Sequence, residues 1–337
     1  MIGYLARRIA HALATIVVAV SLVFIAMRTL PGNPLLARFG QHPDARQMQE
    51  LARQYGWDQP VVVQLGRFFW QVLTTGDLGQ SLARSNVSVS RQLRERLPAT
   101  IELTLVALLI AVPCGIGAGT AAAIFRNRWP DRLCMIVSLL GVSVPVFFLG
   151  ICLRSILTEM PTSQRLPAHV FDFEPITGLY LLDTLVRGRF ELFLLACQHI
   201  CLPAVVLSTI PMAVIARITR SSMLDVLSAD FIRTARAKGA GMWRVVLRHA
   251  LPAAAVPITN IAGLQVGLLL SGAVLTETVF DWPGLGQYIA DAVIRDKDYV
   301  AVQAGAIVIA IVFVTINLLL DLVYVWLDPR IRLTGGR

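Results

Sequence analysis

Lysine is nearly absent from this 337-residue chain, which contains only Lys238 and Lys297. A P-loop needs a lysine directly after a glycine-rich turn, where it contacts the phosphates of a nucleotide, and neither lysine follows such a turn. The sequence therefore excludes a P-loop ATPase.

Motifs of membrane-embedded hydrolases are also missing. The sequence contains no HExxH, no GxSxG and no pair of aspartates within apolar segments, and His11 and His199 have no partner residues near them in sequence. The five cysteines match no disulfide framework and no zinc-ligand spacing, so we interpret them as small packing side chains. The sequence therefore predicts neither an enzyme nor a metal protein.

Charge is scarce and unevenly distributed. Charged residues make up 15% of the chain and hydrophobic residues 56%, and six windows of at least 19 residues contain no Asp, Glu, Lys or Arg. An α-helix of that length crosses a hydrocarbon core of roughly 30 Å. We therefore predict an all-α polytopic membrane protein with six transmembrane helices. The windows are residues 9–27, 103–125, 133–153, 192–216, 250–276 and 299–320.

Basic residues predict the orientation, because the loops on the cytoplasmic side of membrane proteins are enriched in Lys and Arg. We expect both termini in the cytoplasm and the first helix to be an uncleaved anchor. The net charge of +9 then reflects topology and contact with anionic lipid. No basic patch with interleaved aromatics suggests nucleic acid. The predicted cytoplasmic segments are 1–8, 126–132, 217–249 and 321–337.

Three segments follow from this pattern. Residues 1–29 are the N-terminal tip and first transmembrane helix, residues 30–99 are an insertion outside the membrane, and residues 100–330 are a core of five transmembrane helices. Within the insertion, the mixed polar and apolar spacing of residues 60–73 predicts a helix that lies in the interface or packs on the outside.

A charged segment at residues 225–252 separates two of the predicted spans. Phe231, Ile232 and Ala235 can share one face of a helix, whereas basic residues project elsewhere, and Gly239 is suited to end the helix. Such a helix fits a groove on a soluble partner. It equally fits a membrane surface with anionic head groups.

The same segment resembles the coupling motif of binding-protein-dependent ABC importer permeases. The family pattern is Glu-Ala-Ala, three residues, Gly, nine residues and Ile-x-Leu-Pro. The corresponding residues here are Arg233-Thr234-Ala235, Gly239 and His249-x-Leu251-Pro252. Arg and Thr replace the usual Glu and Ala, and His replaces Ile. The form FIRTARAKG is similar to the peptide branch of the family.

Further stretches along nearly the whole chain resemble that branch, and FEPITGLYLLDT at 173–184 is similar to the first permease subunit of dipeptide importers. The other matching stretches are YLARRIAHAL near the start, GWDQPVVVQ at 56–64, GDLGQS at 76–81, RLPATIELT at 96–104, SVPVFFLG at 143–150, ARITRSSMLDVL at 216–227, ETVFDWPGLGQY at 277–288, DYVAVQ at 298–303 and DLVYVWLDPRIR at 321–332.

The resemblance implies a division of labour in a bacterial inner membrane. This chain would form a heterodimer with a second, related permease, and two ATPase subunits would dock beneath them. A periplasmic binding protein would deliver dipeptides or short peptides. ATP and magnesium would bind the ATPase subunits, with no cofactor in this chain. The insertion at 30–99 would be periplasmic, and 225–252, here called the coupling segment, cytoplasmic.

The resemblance and the polar residues within the apolar windows together give candidate site residues. The ATPase-coupling candidates are Phe231, Arg233, Ala235, Arg236, Lys238 and Gly239. The candidates for a translocation path or gate are Asn260, Gln265, Ser271, Glu277, Trp282 and Gln303. Polar groups are expensive in lipid, so they mark either a transport path or hydrogen bonds between helices. Trp282 is alternatively an anchor at the membrane interface.

Other functions remain open at this point. The same machinery is compatible with nickel or a metallophore, haem, or a glutathione-like peptide as cargo, because permease sequences report cargo poorly. A passive channel without ATPase coupling is the alternative from another class. The coupling segment would then have a role at the lipid surface.

Overall fold

The computed structural model describes residues 2–29, 45–54, 56–84, 87–167, 169–170 and 173–327. Side chains are described except at residues 2–5, 45, 47–48, 51, 54, 270–272 and 320–327. Within these ranges the chain is helical and contains no strand, only an isolated bridge between Gln80 and Ser88. This agrees with the predicted all-α class. The predicted C-terminal tail beyond residue 327 lies outside the described residues.

The helices before the coupling segment are α1 (Ile2–Thr29), α2 (Ala45–Gln54), α3 (Val61–Thr75), α4 (Val89–Ile124), α5 (Trp129–Ser143), α6 (Val146–Ile156), α7 (Tyr180–Val186) and α8 (Phe190–Leu227). The helices from the coupling segment onward are α9 (Asp230–Ala237), α10 (Met242–Val245), a π-helix (Val246–Ala250), α11 (Leu251–Ala253), α12 (Ala255–Val279), α13 (Leu285–Ile294) and α14 (Tyr299–Leu327).

Membrane spans are formed by the long apolar helices. In the described part of the chain, α1, α4, α8 and α14 are each long and apolar enough to cross a membrane. Two bent pairs, α5 with α6 and Met242–Ala253 with Ala255–Leu269, also qualify when each pair counts as one span. The total is then six, in agreement with the six charge-free windows.

The third window is sharply broken, although the sequence predicted a single flexed helix. Helix α5 ends at Ser143, α6 begins at Val146, and their axes differ by 103°. Pro145 has no backbone N–H and cannot extend the hydrogen bonding of α5, so it starts a new helix instead. Its carbonyl accepts a hydrogen bond from the N–H of Leu149 at 3.0 Å.

The fifth window contains a second bend, of 62°, between Met242–Ala253 and Ala255–Leu269. Pro252 again removes a backbone donor, and the turn before it widens into the π-helix at Val246–Ala250. Prolines and π-turns are the usual causes of such bends.

The chain divides into two compact units. Unit 1 contains residues 1–100 and 283–337, and unit 2 contains residues 101–282. In unit 1, α1 packs on α14, and α14 packs on α13. A cluster that includes Val89, Leu285 and Ala304 is buried there. Thus the last span packs with the first, which chain order did not indicate.

Asp298 connects part of the insertion to the start of α14 by hydrogen bonds within unit 1. One of its carboxylate oxygens accepts hydrogen bonds from the N–H groups of Val300 and Ala301, capping α14. The other accepts from the Ser81 hydroxyl and the N–H of Leu82, at 2.5 and 3.1 Å. The motifs GDLGQS and DYVAVQ therefore meet at this carboxylate.

Unit 2 is organised around α8, which packs against α5, α6, α7 and α12. Among its fully buried side chains are Ile215, Met223, Ile232, Phe280 and Trp282. The coupling segment and most of the candidate path residues belong to this unit.

Candidate functional site

The coupling segment contains a short helix with a tightly defined end. Helix α9 ends at Ala237, and Gly239 follows with φ +83°, in the left-handed region. The N–H of Gly239 donates to the Arg236 carbonyl at 2.9 Å, and that of Ala240 donates to the Ala235 carbonyl at 3.2 Å. These two bonds form a Schellman motif, in which glycine is the favoured residue at this position.

One side of α9 is exposed and mixes apolar and basic groups. Phe231 is 50% exposed, and Arg233, Arg236 and Lys238 are also exposed. The ion pair between Arg233 and Asp230, at 3.4 Å, is exposed to solvent and therefore weak. Ala235 is half-buried beside them. Five of the six coupling candidates thus lie on accessible surface.

The opposite side of α9 is anchored by Ile232, which the sequence analysis did not single out as a site residue. Its side chain is fully buried in a cluster with Ala123 of α4, Met223 of α8 and Val245 of α10. A buried β-branched side chain fixes the rotation of a short helix, because turning the helix would expose it. Ile232 therefore determines which residues α9 presents.

The candidate path residues in α12 differ in their surroundings. Gln265 is 3% exposed, and its side-chain oxygen has no hydrogen-bond partner within the described ranges. Asn260 is exposed. The side chain of Ser271 lies outside the described residues. Since an unsatisfied buried amide is costly, Gln265 is the path candidate whose geometry most needs a further partner.

Glu277 and Trp282 lie in a compact turn after α12. Both are buried, at 0% and 1% exposure, and the Trp282 N–H donates to the Glu277 carbonyl at 2.8 Å. Burial does not fit the alternative in which Trp282 anchors an exposed membrane interface, because such a tryptophan faces lipid and water. Trp282 is instead a packed part of unit 2.

Arg165 organises a polar cluster that the sequence analysis missed. Its Nη2 donates to the Glu102 carboxylate at 2.5 Å and to the Gly178 carbonyl at 2.7 Å. Its guanidinium stacks on the Tyr180 ring at 3.6 Å and lies 5.7 Å from the Trp282 ring. We call Arg165, Glu102, Gly178 and Tyr180 the Arg165 cluster. It ties the irregular segment before α7 to α4.

Asp183 supports this cluster through the neighbouring loop. It accepts hydrogen bonds from the backbone N–H groups of Ile176, Thr177 and Gly178 and from the Thr177 hydroxyl. Burial acts to raise the pKa of Asp183, but these hydrogen bonds outweigh it and hold the pKa below its usual value. Formation of the loop therefore favours the ionised form of the Asp183 carboxyl.

Gln303 has a structural partner in unit 1. Arg28 of α1 donates to the side-chain oxygen of Gln303 at 3.4 Å and to that of Gln64 at 2.9 Å. Gln303 is buried, at 3% exposure. This geometry favours the hydrogen bond between helices, which was the alternative to a role in the path.

Metal ligation has no geometric support within the described ranges, where no three His, Cys, Asp or Glu side chains come close enough to share an ion. The described candidate residues thus lie on the exposed side of α9 and among polar groups of α12, the turn after it and α14.

Two family models match the chain. The model described as binding-protein-dependent transport system inner membrane component matches residues 111–333. The model for the N-terminal part of the same membrane components matches residues 1–104.

Curated relatives align over almost their full length. The dipeptide transport system permease protein DppB of Alkalihalophilus pseudofirmus is 41% identical over 98% of this chain and 100% of its own. The di/tripeptide transport system permease protein DppB of Pseudomonas aeruginosa is 42% identical over 98% and 99%. The glutathione transport system permease protein GsiC of Salmonella typhimurium is 37% identical over 98% and 99%.

Proposed function

Because this chain belongs to the binding-protein-dependent transport system inner membrane components, we propose that it carries dipeptides or short peptides across the inner membrane in an ATP-driven importer. The observation that supports this cargo is the full-length identity of 41% and 42% to permeases named for dipeptides and di/tripeptides. The chain is a permease subunit, and hydrolysis of ATP takes place elsewhere in the assembly.

The partners we propose are a second, related permease, two ATPase subunits that bind ATP and magnesium, and a periplasmic binding protein. The membrane is the inner membrane, with both termini in the cytoplasm. The basic residues of the coupling segment support this orientation. A reporter that is active only in the cytoplasm tests this orientation. It should be active when attached after residue 240 and inactive when attached after residue 160.

The docking surface for an ATPase is the exposed side of α9. Phe231 supplies an apolar contact, and Arg233, Arg236 and Lys238 surround it with positive charge. A groove with an apolar floor and an acidic rim on the ATPase would complement this surface. When the ATPase subunits close, α9 moves with them, and the spans alternate between inward-open and outward-open states.

Glutathione is a second candidate cargo, supported by the 37% identity to a glutathione permease. It is itself a short peptide, so the transport path need not differ in kind. Competition between labelled dipeptide and glutathione for uptake distinguishes the two.

The direct test is uptake of a labelled dipeptide into proteoliposomes that contain this chain, its partner permease and the ATPase subunits. Binding protein is added with the peptide. ATP-dependent uptake supports the proposal. If the binding protein stimulates ATP hydrolysis but no dipeptide is taken up, the result supports an importer and contradicts dipeptides as its cargo. Failure to assemble with any ATPase overturns the proposal as a whole.

Gly239 provides the matched variants for the coupling site. A Cβ at this position would contact nothing within 4 Å in this chain, so a substitution introduces backbone strain but no clash inside the subunit. A β-branched residue at positive φ is strained by about 1–3 kcal/mol, whereas asparagine tolerates the left-handed region. We expect Gly239→Val to lower uptake by about 5–150-fold, the usual range of coupling effects, and Gly239→Asn to lower it less. Equal uptake by both variants would contradict this assignment.

A further inference from the structure

A second arginine–carboxylate pair lies beside the coupling segment, between Asp131 in the first turn of α5 and Arg220 of α8. The Arg220 Nε donates to one carboxylate oxygen of Asp131 at 2.5 Å, and its Nη2 donates to the other at 2.8 Å. The Asp131 side chain is 4% exposed and that of Arg220 is 23% exposed. A bidentate pair fixes orientation as well as distance. We call it the Arg220 pair.

Asp131 also controls the loop between α4 and α5. Its Oδ2 accepts a hydrogen bond from the N–H of Asn127 at 2.8 Å, and Asn127 has φ +64°. The turn is closed by the Arg128 N–H, which donates to the Phe125 carbonyl at 2.9 Å. One carboxylate therefore holds this loop in place and ties it to α8.

Helices α4 and α8 approach each other closely just before the Arg220 pair. A Cβ on Gly119 would lie 2.3 Å from the Ala216 carbonyl oxygen and 2.7 Å from the Thr219 Cβ. A Cβ on Gly115 would lie 2.9 Å from the Met212 carbonyl oxygen. The two helices thus touch backbone to backbone over one turn, with small residues permitting the contact.

The same helices continue into the cluster that buries Ile232. Ala123 follows Gly119 by one turn of α4, and Met223 follows Arg220 by one turn of α8. Both are buried against Ile232, at 3% and 0% exposure. Helix α9 therefore rests on the ends of α4 and α8 that the Arg220 pair and the glycine contact hold together.

We propose that Arg220 and Asp131 are positioning residues for energy coupling, an inference that rests on the proposed function. They make the ends of α4, α5 and α8 move as one body when α9 is displaced. Without the pair, the loop at residues 125–128 absorbs part of the displacement. Densely packed elements transmit movement, whereas a loop with free backbone rotation does not.

A pair that served stability alone would behave differently. Its loss would lower assembly, hydrolysis and uptake together. A pair that transmits movement leaves the ATPase docked on α9 and active, but fewer peptides cross for each ATP hydrolysed. The ratio of peptide transported to ATP hydrolysed therefore separates the two roles.

The experiment measures this ratio in proteoliposomes that contain the complete transporter and its binding protein. The variants are Arg220→Gln, Asp131→Asn and the exchange Arg220→Asp with Asp131→Arg. We expect each single variant to keep hydrolysis within about twofold and to lower the ratio by about 5–150-fold, as typical coupling energies allow. The exchange restores an ion pair but removes the acceptor for the Asn127 N–H, so it should recover only part of the ratio. Arg220→Lys retains the charge without the bidentate geometry and should be intermediate.

Arg91→Gln serves as the control, because it removes an ion pair of similar chemistry from an exposed site. Arg91 and Glu95 are 83% and 62% exposed, so their loss should leave the ratio unchanged. If Arg220→Gln does not assemble, Arg220→Lys and the exchange carry the test.

Three results would overturn the inference: a wild-type ratio in the single variants, parallel loss of hydrolysis and uptake, or an exchange variant no better than the singles. Absence of peptide uptake by the wild-type protein would instead count against the proposed function. The two failures are therefore distinguishable.

Discussion

Two arginine–carboxylate pairs of unit 2, each with a buried carboxylate, are built differently. In the Arg165 cluster both partners are 6% exposed, and one guanidinium nitrogen serves both Glu102 and the Gly178 carbonyl. In the Arg220 pair two nitrogens meet two carboxylate oxygens, and the arginine is 23% exposed. Arg165 also stacks on the Tyr180 ring, whereas the described contacts of Arg220 include no aromatic ring.

The difference follows from what each arginine joins. Arg165 belongs to a segment whose described residues form no regular helix, and its side chain connects that segment to Glu102, Gly178 and Tyr180. Arg220 joins α8 to α5, two helices that already pack against each other, and α8 also contacts α4 at Gly119. Loss of Arg165 should therefore release a segment of chain, whereas loss of Arg220 should mainly loosen the orientation of elements that remain folded.

Replacement of Arg165 by glutamine should give the largest loss of stability. The Glu102 carboxylate would remain buried without its cation, and removal of one partner from a buried pair usually costs about 3–5 kcal/mol. We expect Arg165→Gln to lower the midpoint of thermal unfolding in lipid nanodiscs far more than Arg220→Gln does. Tryptophan fluorescence reports the transition, because Trp282 lies beside the guanidinium.

The double variant Arg165→Leu with Glu102→Leu sharpens this comparison. It removes both charges, so we expect it to be more stable than Arg165→Gln alone. Equal midpoints for Arg165→Gln and Arg220→Gln would mean that the two pairs contribute alike and that the contrast in burial has no energetic consequence.

The glycine contact provides the next largest effect. Gly119→Ala places a methyl group 2.3 Å from a backbone oxygen, whereas Gly117→Ala on the same helix meets nothing within 4 Å. Both changes raise helix propensity equally, so their difference reports packing alone. We expect Gly119→Ala to be less stable by about 1–3 kcal/mol, the usual cost of overpacking.

Thermal unfolding of these two variants in the same nanodiscs measures the difference. A second readout is the transport ratio, which Gly119→Ala should lower if α4 and α8 separate. If Gly117→Ala is the more damaging substitution, the contact between α4 and α8 is not as close as the backbone geometry indicates.

The spans were predictable because lipid permits only closed backbone hydrogen bonding, so each long charge-free window had to be a helix. The bends in two of the spans were not predictable, although the sequence contains Pro145 and Pro252 at these places. A proline kinks, breaks or merely ends a helix according to what packs around it. The 103° break after Ser143 thus depends on contacts beyond the window.

The site was predictable only where its residues are close in sequence. The pattern from Phe231 to Gly239 predicted a short helix and its end, since both depend on neighbouring residues. Arg165 lies 63 residues from Glu102, and Arg220 lies 89 residues from Asp131. No periodicity relates positions so far apart, and each residue alone resembles an ordinary loop or helix charge. Ile232 was grouped with Phe231, but only packing shows that it faces inward.

Acid should loosen the segment beside Arg165. This effect should be smaller than those of the arginine substitutions and of Gly119→Ala. Hydrogen bonds to Asp183 hold its pKa below the usual value despite its burial. A carboxyl whose pKa is lowered by folding stabilises the folded state above its unfolded pKa of about 3.9. That contribution is lost as the pH falls through the lower, folded pKa. The loop at residues 176–178 should therefore be unaffected near neutrality and should open only in stronger acid.

Hydrogen exchange of the Ile176, Thr177 and Gly178 amides, corrected for the intrinsic effect of pH, measures this opening. The Gly239 amide is the internal reference, because it donates to the Arg236 carbonyl at the end of α9, away from the Arg165 cluster. In Asp183→Asn the three amides should exchange faster already at neutral pH and lose the acid step. Glu102 also titrates nearby, so a step that persists in Asp183→Asn would assign the acid response to the Arg165 cluster instead.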